Sequence, residues 1–429
     1  MTELVIGNSY SQLKGLQTNQ FRQLRSLLSY VEGSETARYY GGWPKRKYLL
    51  DKHGFFPTGL LRRVIPFFST TPLAVRDTRM PPKRSNSPKV ERLPFEPYPD
   101  QGLAVDLAVK ANRGIISMVT GSGKSLVIRM IIQRLNVPTL VVVPNLELKR
   151  QLSESLKGLD NVTVENIDCK SLMTARDYGC LIIDEAHHVA SKTYQRLNKK
   201  AWNGIYHRYY LTATPYRTVK EEQILFEAIA GELIYSLSYL EAVKKNYVVP
   251  AECYYIELPK IKTSARTWAQ VYSELVVNNQ ARNEVIAGIM LKLVTIGVST
   301  LCLVKEIQHG NNLQKLFWAS FANGQDEESR IDLSKFANGE LKSLVATTGI
   351  AGEGIDTKPC EYVIIAGLGK AKGAFLQQVG RAIRNYPGKA SAKVILFKDP
   401  SHKFTLTHFK HQSKIMEEVY GVTPVKLDL

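Results

Sequence analysis

The sequence predicts an α/β protein with two tandem parallel-sheet domains, preceded by a small basic N-terminal domain. Three observations support this fold class. Short apolar runs alternate with amphipathic stretches after residue 93, the alternation occurs twice, and basic residues are concentrated before residue 93. A chain of 429 residues is long enough for two or three domains.

The two series of apolar runs predict the strands of the two sheets, since strands covered on both faces are apolar throughout. The first series is 115–119, 139–143, 180–183 and 209–211, and the second is 300–304, 343–346, 362–365 and 393–397. Pro250 interrupts the pattern, so we expect the domains to span 94–249 and 250–429.

The N-terminal segment carries much of the positive charge. Residues 1–92 contain 16 Lys and Arg against 6 Asp and Glu, a net +10 of the chain's +18. Such a balance favours polyanionic partners. Aromatic residues lie between the basic ones. We expect most rings to form the core of a domain at 1–70, with Lys45, Arg46 and Lys47 facing nucleic acid. Residues 71–93, rich in Pro, Ser and charge, predict an extended linker.

Several classes of protein are disfavoured. No run of 18 apolar residues exists, and the start of the chain lacks the pattern of a signal peptide, which predicts no membrane partner. Five widely spaced cysteines indicate reduced, buried thiols in a cytoplasmic protein. The scattered histidines make a structural metal site an unfavoured alternative.

A glycine-rich loop between a predicted strand and a predicted helix indicates phosphate binding. Glycines let backbone N–H groups approach phosphate oxygens, and the helix N-terminus adds positive potential. Lys124 is expected to contact the β- and γ-phosphates, and Ser125 to coordinate Mg²⁺. Met118 occupies a position where the strict pattern has glycine. The expected loop consists of Thr120, Gly121, Ser122, Gly123, Lys124 and Ser125.

Two adjacent acids follow the apolar run at 180–183. Two carboxylates directly after a buried strand carry a desolvation cost. Their position at the carboxyl end of the strand, where parallel sheets bind ligands, suggests that they have a function there. Asp184 is expected to hold Mg²⁺, and Glu185 to orient and deprotonate the attacking water. Together with the loop, this pair predicts hydrolysis of ATP with Mg²⁺ as cofactor.

These motifs resemble those of the DEAH-type helicases of superfamily 2, whose two domains are RecA-like. In the first domain the resemblance implies an adenine contact at Gln101 with Tyr98 beside it. It also implies contacts to the nucleic-acid backbone from Pro144, Asn145 and Arg150. The segment that would couple hydrolysis to movement is Thr212, Ala213 and Thr214.

The second domain continues the resemblance. Thr347 and Thr348 would lie on the nucleic-acid backbone, Gly354 near the γ-phosphate, and Asp356 at the ribose. A further pattern, QxxGRxxR, implies catalytic roles for three side chains. Arg381 and Arg384 would neutralise the transferring phosphoryl group, and Gln377 belongs to the same set.

The basic N-terminal segment and the tail 402–410 are similar to phage UvsW-type recombination helicases. That resemblance implies a track of forked, junction, single-stranded or duplex DNA, on which the chain acts as a monomer. Only about thirty residues follow the last predicted strand, which disfavours the extra modules of RNA-type relatives. Two alternatives stay open: an RNA-remodelling ATPase of the same superfamily, and a DNA-binding scaffold switched by nucleotide.

Overall fold

The computed structural model describes residues 1–32, 45–84, 93–214, 220–317, 319–326, 328–352, 359–367, 369 and 372–427. The chain divides into two compact units. Unit 1 contains Met1–Met118 and Gly123–Leu237, and unit 2 contains Val119–Ser122 and Ser238–Leu429. The division at 237/238 precedes the position near Pro250 expected from the sequence. Among the described residues, no helix is both long and apolar enough to span a membrane.

Unit 1 begins with a small sheet domain. Its four-stranded sheet has the order β5-β2-β1-β6, in which only β1 and β6 run parallel. A separate antiparallel pair is formed by β3 and β4. The elements are β1 Thr2–Ile6, β2 Tyr10–Lys14, α1 Thr18–Leu27, β3 Ser29–Glu32, β4 Lys45–Tyr48, β5 Phe55–Pro57, α2 Leu61–Val64 and β6 Leu73–Asp77.

Strand β6 corrects the expectation of a linker over residues 71–93. It pairs with β1 from Thr2↔Leu73 to Ile6↔Asp77, although its own side chains are half-buried or exposed. Because exposed strands lack the apolar pattern of core strands, the sequence did not reveal it. Residues 85–92 of the same segment lie outside the described residues.

The aromatic rings of this domain divide between core and surface. Phe56 and Phe68 are buried, as expected, whereas Tyr48 and Phe55 are 45% and 41% exposed. The core also includes Ile224 and Ala228, which belong to a later helix of unit 1. The N-terminal sheet domain is therefore packed against the body of unit 1.

The body of unit 1 is a six-stranded, all-parallel sheet with the order β12-β7-β11-β10-β8-β9. Its strands are β7 Arg113–Met118, β8 Thr139–Val143, β9 Val162–Asn166, β10 Cys180–Ile183, β11 His207–Thr212 and β12 Leu233–Leu237. Its helices are α3 Pro99–Ala111, α4 Lys124–Leu135, α5 Leu146–Ser155, α6 Lys192–Lys200 and α7 Lys220–Ala230. All four strands predicted for this domain are confirmed, and β9 and β12 are additional.

Two arginines, the buried Arg208 and the half-buried Arg113, connect the N-terminal sheet domain to this sheet. Arg208 donates to Oγ of Ser9 at 2.9 Å and to Oδ1 of Asn198 at 2.7 Å. Arg113 donates to the carbonyl oxygens of Asn8 and Ile229. Since buried donors need partners, these bonds fix the position of the β1–β2 turn on the sheet.

Unit 2 is built on a seven-stranded parallel sheet with the order β15-β16-β14-β17-β18-β13-β19. Its strands are β13 Ala251–Glu257, β14 Thr300–Val304, β15 Ser320–Ala322, β16 Ser343–Thr347, β17 Tyr362–Ile365, β18 Ala392–Lys398 and β19 Val425–Lys426. Its helices are α8 Tyr239–Lys244, α9 Trp268–Tyr272, α10 Gln280–Thr295, α11 Ile307–Phe317, α12 Ser329–Ala337, α13 Thr348–Gly352, α14 Lys372–Ala382 and α15 Lys403–Ile415.

The predicted fold class is confirmed: two parallel sheets follow a small N-terminal sheet domain. The four strands predicted for the second domain all form, with ends that agree within a residue. All five cysteines are free thiols; four are buried and Cys169 is half-buried.

Candidate nucleotide site and nucleic-acid interface

The phosphate loop begins where β7 ends and finishes at the first turn of α4. Gly121 and Gly123 have φ values of +90° and +83°, which L side chains rarely adopt. A Cβ on Gly123 would also lie 2.3 Å from Nε2 of Gln101. Lys124 is the first residue of α4. The lysine and the free backbone N–H groups of the helix N-terminus are therefore close together, an arrangement that suits an anion such as a phosphate.

The acidic pair, Asp184 and Glu185, directly follows β10 at the same carboxyl edge of the sheet as the phosphate loop. Oε1 of Glu185 lies 3.9 Å from Nζ of Lys124, and its Oε2 lies 3.2 Å from Nδ1 of His187. Oδ1 of Asp184 accepts a hydrogen bond from the backbone N–H of Glu185 at 3.0 Å. Glu185 has a φ of +49°, a left-handed conformation that is uncommon for residues other than glycine. The structure thus brings Lys124, Asp184 and Glu185 together.

The two carboxylates have opposite electrostatic environments. Burial and the adjacent charge of Glu185 raise the pKa of Asp184. Burial also acts to raise the pKa of Glu185, but the nearby Lys124, His187 and His188 outweigh it and lower that pKa. Glu185 is therefore held as an anion, the state that a proton acceptor requires.

The raised pKa of Asp184 shows that its surroundings supply too little positive charge for a buried carboxylate. A divalent cation would supply that charge, and Asp184 and Ser125 are the residues that would hold Mg²⁺ in the prediction from the sequence. Mg²⁺ is commonly held by one or two carboxylates together with substrate phosphates. Among the described side chains, no group of three or more His, Cys, Asp and Glu could hold a metal ion.

Gln101 lies against the phosphate loop. Its Nε2 is 3.4 Å from the carbonyl oxygen of Gly123, and its Oε1 accepts from the backbone N–H of Tyr98 at 2.8 Å. The preceding Asp100 accepts a hydrogen bond from the hydroxyl of Tyr235 at 2.6 Å. Tyr98 is 39% exposed. The two residues predicted to contact adenine are therefore adjacent to each other and to the loop.

The remaining predicted residues of unit 1 lie at or after the carboxyl ends of β8 and β11. Thr212 is paired with Ser117 of β7, and its Oγ1 accepts from the backbone N–H of Thr214 at 3.0 Å. Asn145 caps α5, since its Oδ1 accepts from the backbone N–H of Leu148 at 2.8 Å. All of them lie at the edge of the sheet that carries the phosphate loop. Ala213 follows Thr212 directly, Pro144 precedes Asn145, and Arg150 is an exposed residue of α5.

In unit 2 the predicted residues lie on three elements, β16, α13 and α14. Thr347 ends β16 and is buried, and Thr348 begins α13. Gln377 and Arg381 belong to α14, where Arg381 is buried, and Arg384 follows that helix. Gly354 and Asp356 lie outside the described residues.

The basic residues of β4 are far from this chemistry in the chain and belong to the N-terminal sheet domain. Lys45, Arg46 and Lys47 are all exposed. Nη1 of Arg46 donates to Oγ of Ser29 on β3 at 3.0 Å, which orients one of the three cations. We refer to β3 and β4 together as the basic ribbon.

Sequence reasoning assigned no role to His187 or Tyr235, two residues that the structure places within this site. His187 was visible as part of the Asp-Glu-Ala-His segment, but its distance to Glu185 was not. Tyr235 belongs to β12, a strand absent from the predicted set. No local signal connects it to Asp100, which is 135 positions earlier.

Two parallel sheets of the RecA type, with a phosphate loop after β7 and an acidic pair after β10 at the same carboxyl edge, define a P-loop ATPase. Residues 94–174 match the family described as "Type III restriction enzyme, res subunit". Residues 305–386 match "Helicase conserved C-terminal domain". Both matches are to domains of superfamily 2 helicases, the superfamily that the motifs predicted.

Individual relatives cover most of the chain. "DNA 3'-5' translocase XPB2" of Sulfurisphaera tokodaii is 25% identical over 69% of this chain and 82% of its own length. "ATP-dependent DNA helicase uvsW" of Enterobacteria phage T4 is 22% identical over 88% of this chain and 86% of its own length. A fragment of a putative HsdR subunit of a type I restriction enzyme from Vibrio vulnificus has a TM-score of 0.60. It is 15% identical and covers 97% of this chain and 85% of that one, a likeness in fold.

Proposed function

We propose that this chain is an ATP-dependent DNA translocase or helicase that remodels branched DNA, namely forks and four-way junctions. The choice of DNA is supported by the two relatives above, which are named as a DNA translocase and a DNA helicase. The choice of branched DNA rests on one observation: the basic ribbon, a separate two-stranded sheet of the N-terminal domain, carries three consecutive exposed cations.

Hydrolysis in this proposal uses the residues gathered at the first sheet. Lys124 binds the phosphates. In the structure, its Nζ lies 3.9 Å from Oε1 of Glu185. Glu185, held as an anion by Lys124 and His187, accepts a proton from the attacking water. Asp184 and Ser125 would hold Mg²⁺, which neutralises phosphate charge when bound. Arg381 and Arg384 are proposed to stabilise the transferring phosphoryl group.

Nucleic-acid contacts in this proposal have two parts. Pro144, Asn145 and Arg150 of unit 1, and Thr347 and Thr348 of unit 2, contact the backbone of the tracked strand. The basic ribbon binds the duplex or junction through phosphate neutralisation, which does not depend on sequence.

Binding of forked DNA by a Lys45→Ala, Arg46→Ala, Lys47→Ala triple variant tests the branched-DNA assignment. Each cation that neutralises a phosphate contributes about 0.9 to the slope of log K against log salt, so the slope should fall by up to about 3. The matched control removes three exposed cations of α6 in the same unit, by Lys192→Ala, Lys199→Ala and Lys200→Ala. Equal affinity of both triple variants for forks would contradict the assignment.

Steady-state ATPase activity should be compared with single-stranded, duplex, forked and four-way-junction DNA and with RNA. We expect DNA to stimulate turnover and branched DNA to do so most. Stronger stimulation by RNA would favour the RNA-remodelling alternative. Nucleotide binding without turnover on any of them would favour the switched scaffold.

A further inference from the structure

Unit 2 contains a cavity of about 550 Å³ at the carboxyl edge of its sheet. Lys305 follows β14, Thr348 follows β16, and Gly367 follows β17; all three line it. The other walls come from α9, α14 and α15, through Trp268, Gln378, Phe404 and Gln412. Cavities of roughly 300–1,000 Å³ are the size that encloses a small ligand.

The strand order explains why a cavity forms here. From β14 the chain proceeds to β15 and β16 on one side, and then crosses to β17 on the other side of β14. The connections therefore leave β14 in opposite directions, which opens a crevice at its carboxyl end. Parallel sheets bind ligands at such switch points.

One wall of the cavity is aromatic. Trp268 and Phe404 have ring centroids 6.1 Å apart at an interplanar angle of 88°. The indole of Trp268 packs on His408, which also lines the cavity, with ring centroids 4.2 Å apart, and on Tyr272, 5.3 Å away. Trp268 and Phe404 are each only half-buried. A supported, partly exposed indole is a surface on which a planar ring can stack.

The remaining walls supply polar groups of two kinds. Gln412 is 2% exposed, and its Oε1 has no hydrogen-bond partner among the described residues. A buried acceptor without a partner is costly, so a ligand that donates a hydrogen bond to it would be stabilised. Gln378 adds a second amide. Lys305 is exposed at the rim and holds its Nζ 5.4 Å from the ring centroid of Tyr272. Amides suit the donor and acceptor edges of a base, and the lysine suits a phosphate.

We propose that this cavity binds one unpaired nucleobase of the tracked DNA strand, stacked on Trp268. The inference rests on the proposed function, because Thr348, on the cavity wall, is among the residues proposed to contact the strand's backbone. Gln412 and Gln378 hydrogen-bond the edge of the base, and Lys305 neutralises its phosphate. The pocket thus adds contacts to one base of the strand, whereas the other proposed contacts are made to the strand's backbone.

Fluorescence anisotropy with a labelled single strand and a matched strand of abasic residues tests the pocket. The unmodified protein should bind the strand with bases more tightly, since stacking of one base on an aromatic side chain changes affinity about 5- to 100-fold. Trp268→Leu and Phe404→Leu should each lose most of that difference. Neither should weaken binding of the abasic strand. Lys305→Ala should weaken binding of both strands alike.

Matched variants separate stacking from folding. Trp268→Phe retains a ring and should keep most of the affinity for bases. Phe409→Leu removes a ring from the same helix as Phe404, but this ring packs on Tyr255, 5.2 Å away, and should change neither affinity. If Trp268→Leu fails to fold, Phe404→Leu and the comparison of the two strands on the unmodified protein still decide the outcome.

Equal affinity of the unmodified protein for the two strands would overturn the pocket, as would an undiminished preference for bases in both leucine variants. In either case DNA-stimulated ATPase activity would leave the proposed function standing. A protein that binds neither strand and whose ATPase does not respond to DNA would overturn the proposed function as well.

Discussion

Glu185→Gln replaces the proposed proton acceptor by an uncharged side chain of the same shape. General bases contribute about 10²- to 10⁴-fold to rates, so kcat for ATP hydrolysis should fall by that factor. The variant should still bind ATP. A rise in the ATP Kd together with the fall in kcat would identify Glu185 as a binding residue and refute the reasoning.

The structure also predicts the direction of the change in ATP affinity. With 3.9 Å between Nζ of Lys124 and Oε1 of Glu185, the gross attraction is about 4 kcal/mol at an effective dielectric constant of 20. Much of this is offset by desolvation, since the two side chains are only 11% and 14% exposed. Because the neutral amide of the variant does not compete with the phosphates for Lys124, ATP should bind with equal or greater affinity.

The assay combines steady-state ATPase activity at saturating DNA with calorimetric titration of ATP in Mg²⁺. Asp106→Asn is the matched control, because Asp106 forms an ion pair with Arg134 on the surface, 3.1 Å away and more than 60% exposed on both sides. Exposed pairs contribute about 0–1 kcal/mol, so this control should retain both activity and affinity. A Glu185→Gln variant with kcat within about fivefold of the unmodified protein would exclude a general-base role.

Three further predictions concern the loop and the two units. Lys124→Ala should abolish ATP turnover in a steady-state assay; retained turnover would mean that the phosphate loop is misassigned. Gly59→Ala should lower the unfolding temperature of unit 1, because its Cβ would lie 2.1 Å from the carbonyl oxygen of Glu227, and an unchanged temperature would contradict this packing. Burial and Arg282 lower the pKa of His309 from 6.5 to about 3, so only the unfolded chain takes up a proton between these values. Stability should therefore fall as the pH drops from 6.5, by about 2–3 kcal/mol at pH 4.5, and His309→Gln should flatten this slope in urea titrations.

The structure changes how the N-terminal domain is best tested. From its composition, residues 1–92 suggest a module that can be deleted. Instead, Ser9 accepts a hydrogen bond from the buried Arg208, and Ile224 and Ala228 complete the N-terminal core. Deletion would therefore expose apolar surface and remove one hydrogen-bond partner of a buried cation. Substitution of the exposed cations of the basic ribbon probes the same role without that damage.

Much of the fold was predictable from the sequence because fully buried parallel strands are apolar throughout. Residues 139–143, 180–183 and 300–304 form strands with the predicted bounds. Among the missed strands, β6, β9 and β12 have side chains that are mostly half-buried or exposed. Their residues form no continuous apolar run, so these segments are recognisable as strands only by their pairing with β1, β8 and β7.

The sequence by itself determined the chemistry of the ATPase, since the phosphate loop and the acidic pair are each contiguous in the chain. Local order is sufficient there because a strand, a turn and a helix place the groups. Only the tertiary structure brought Lys124 to Glu185 and Gln101 to Gly123. It likewise joined Trp268 to Phe404, residues 136 positions apart, in one cavity wall. Such contacts depend on strand order and on which helices cover the sheet edge, and no local pattern encodes either.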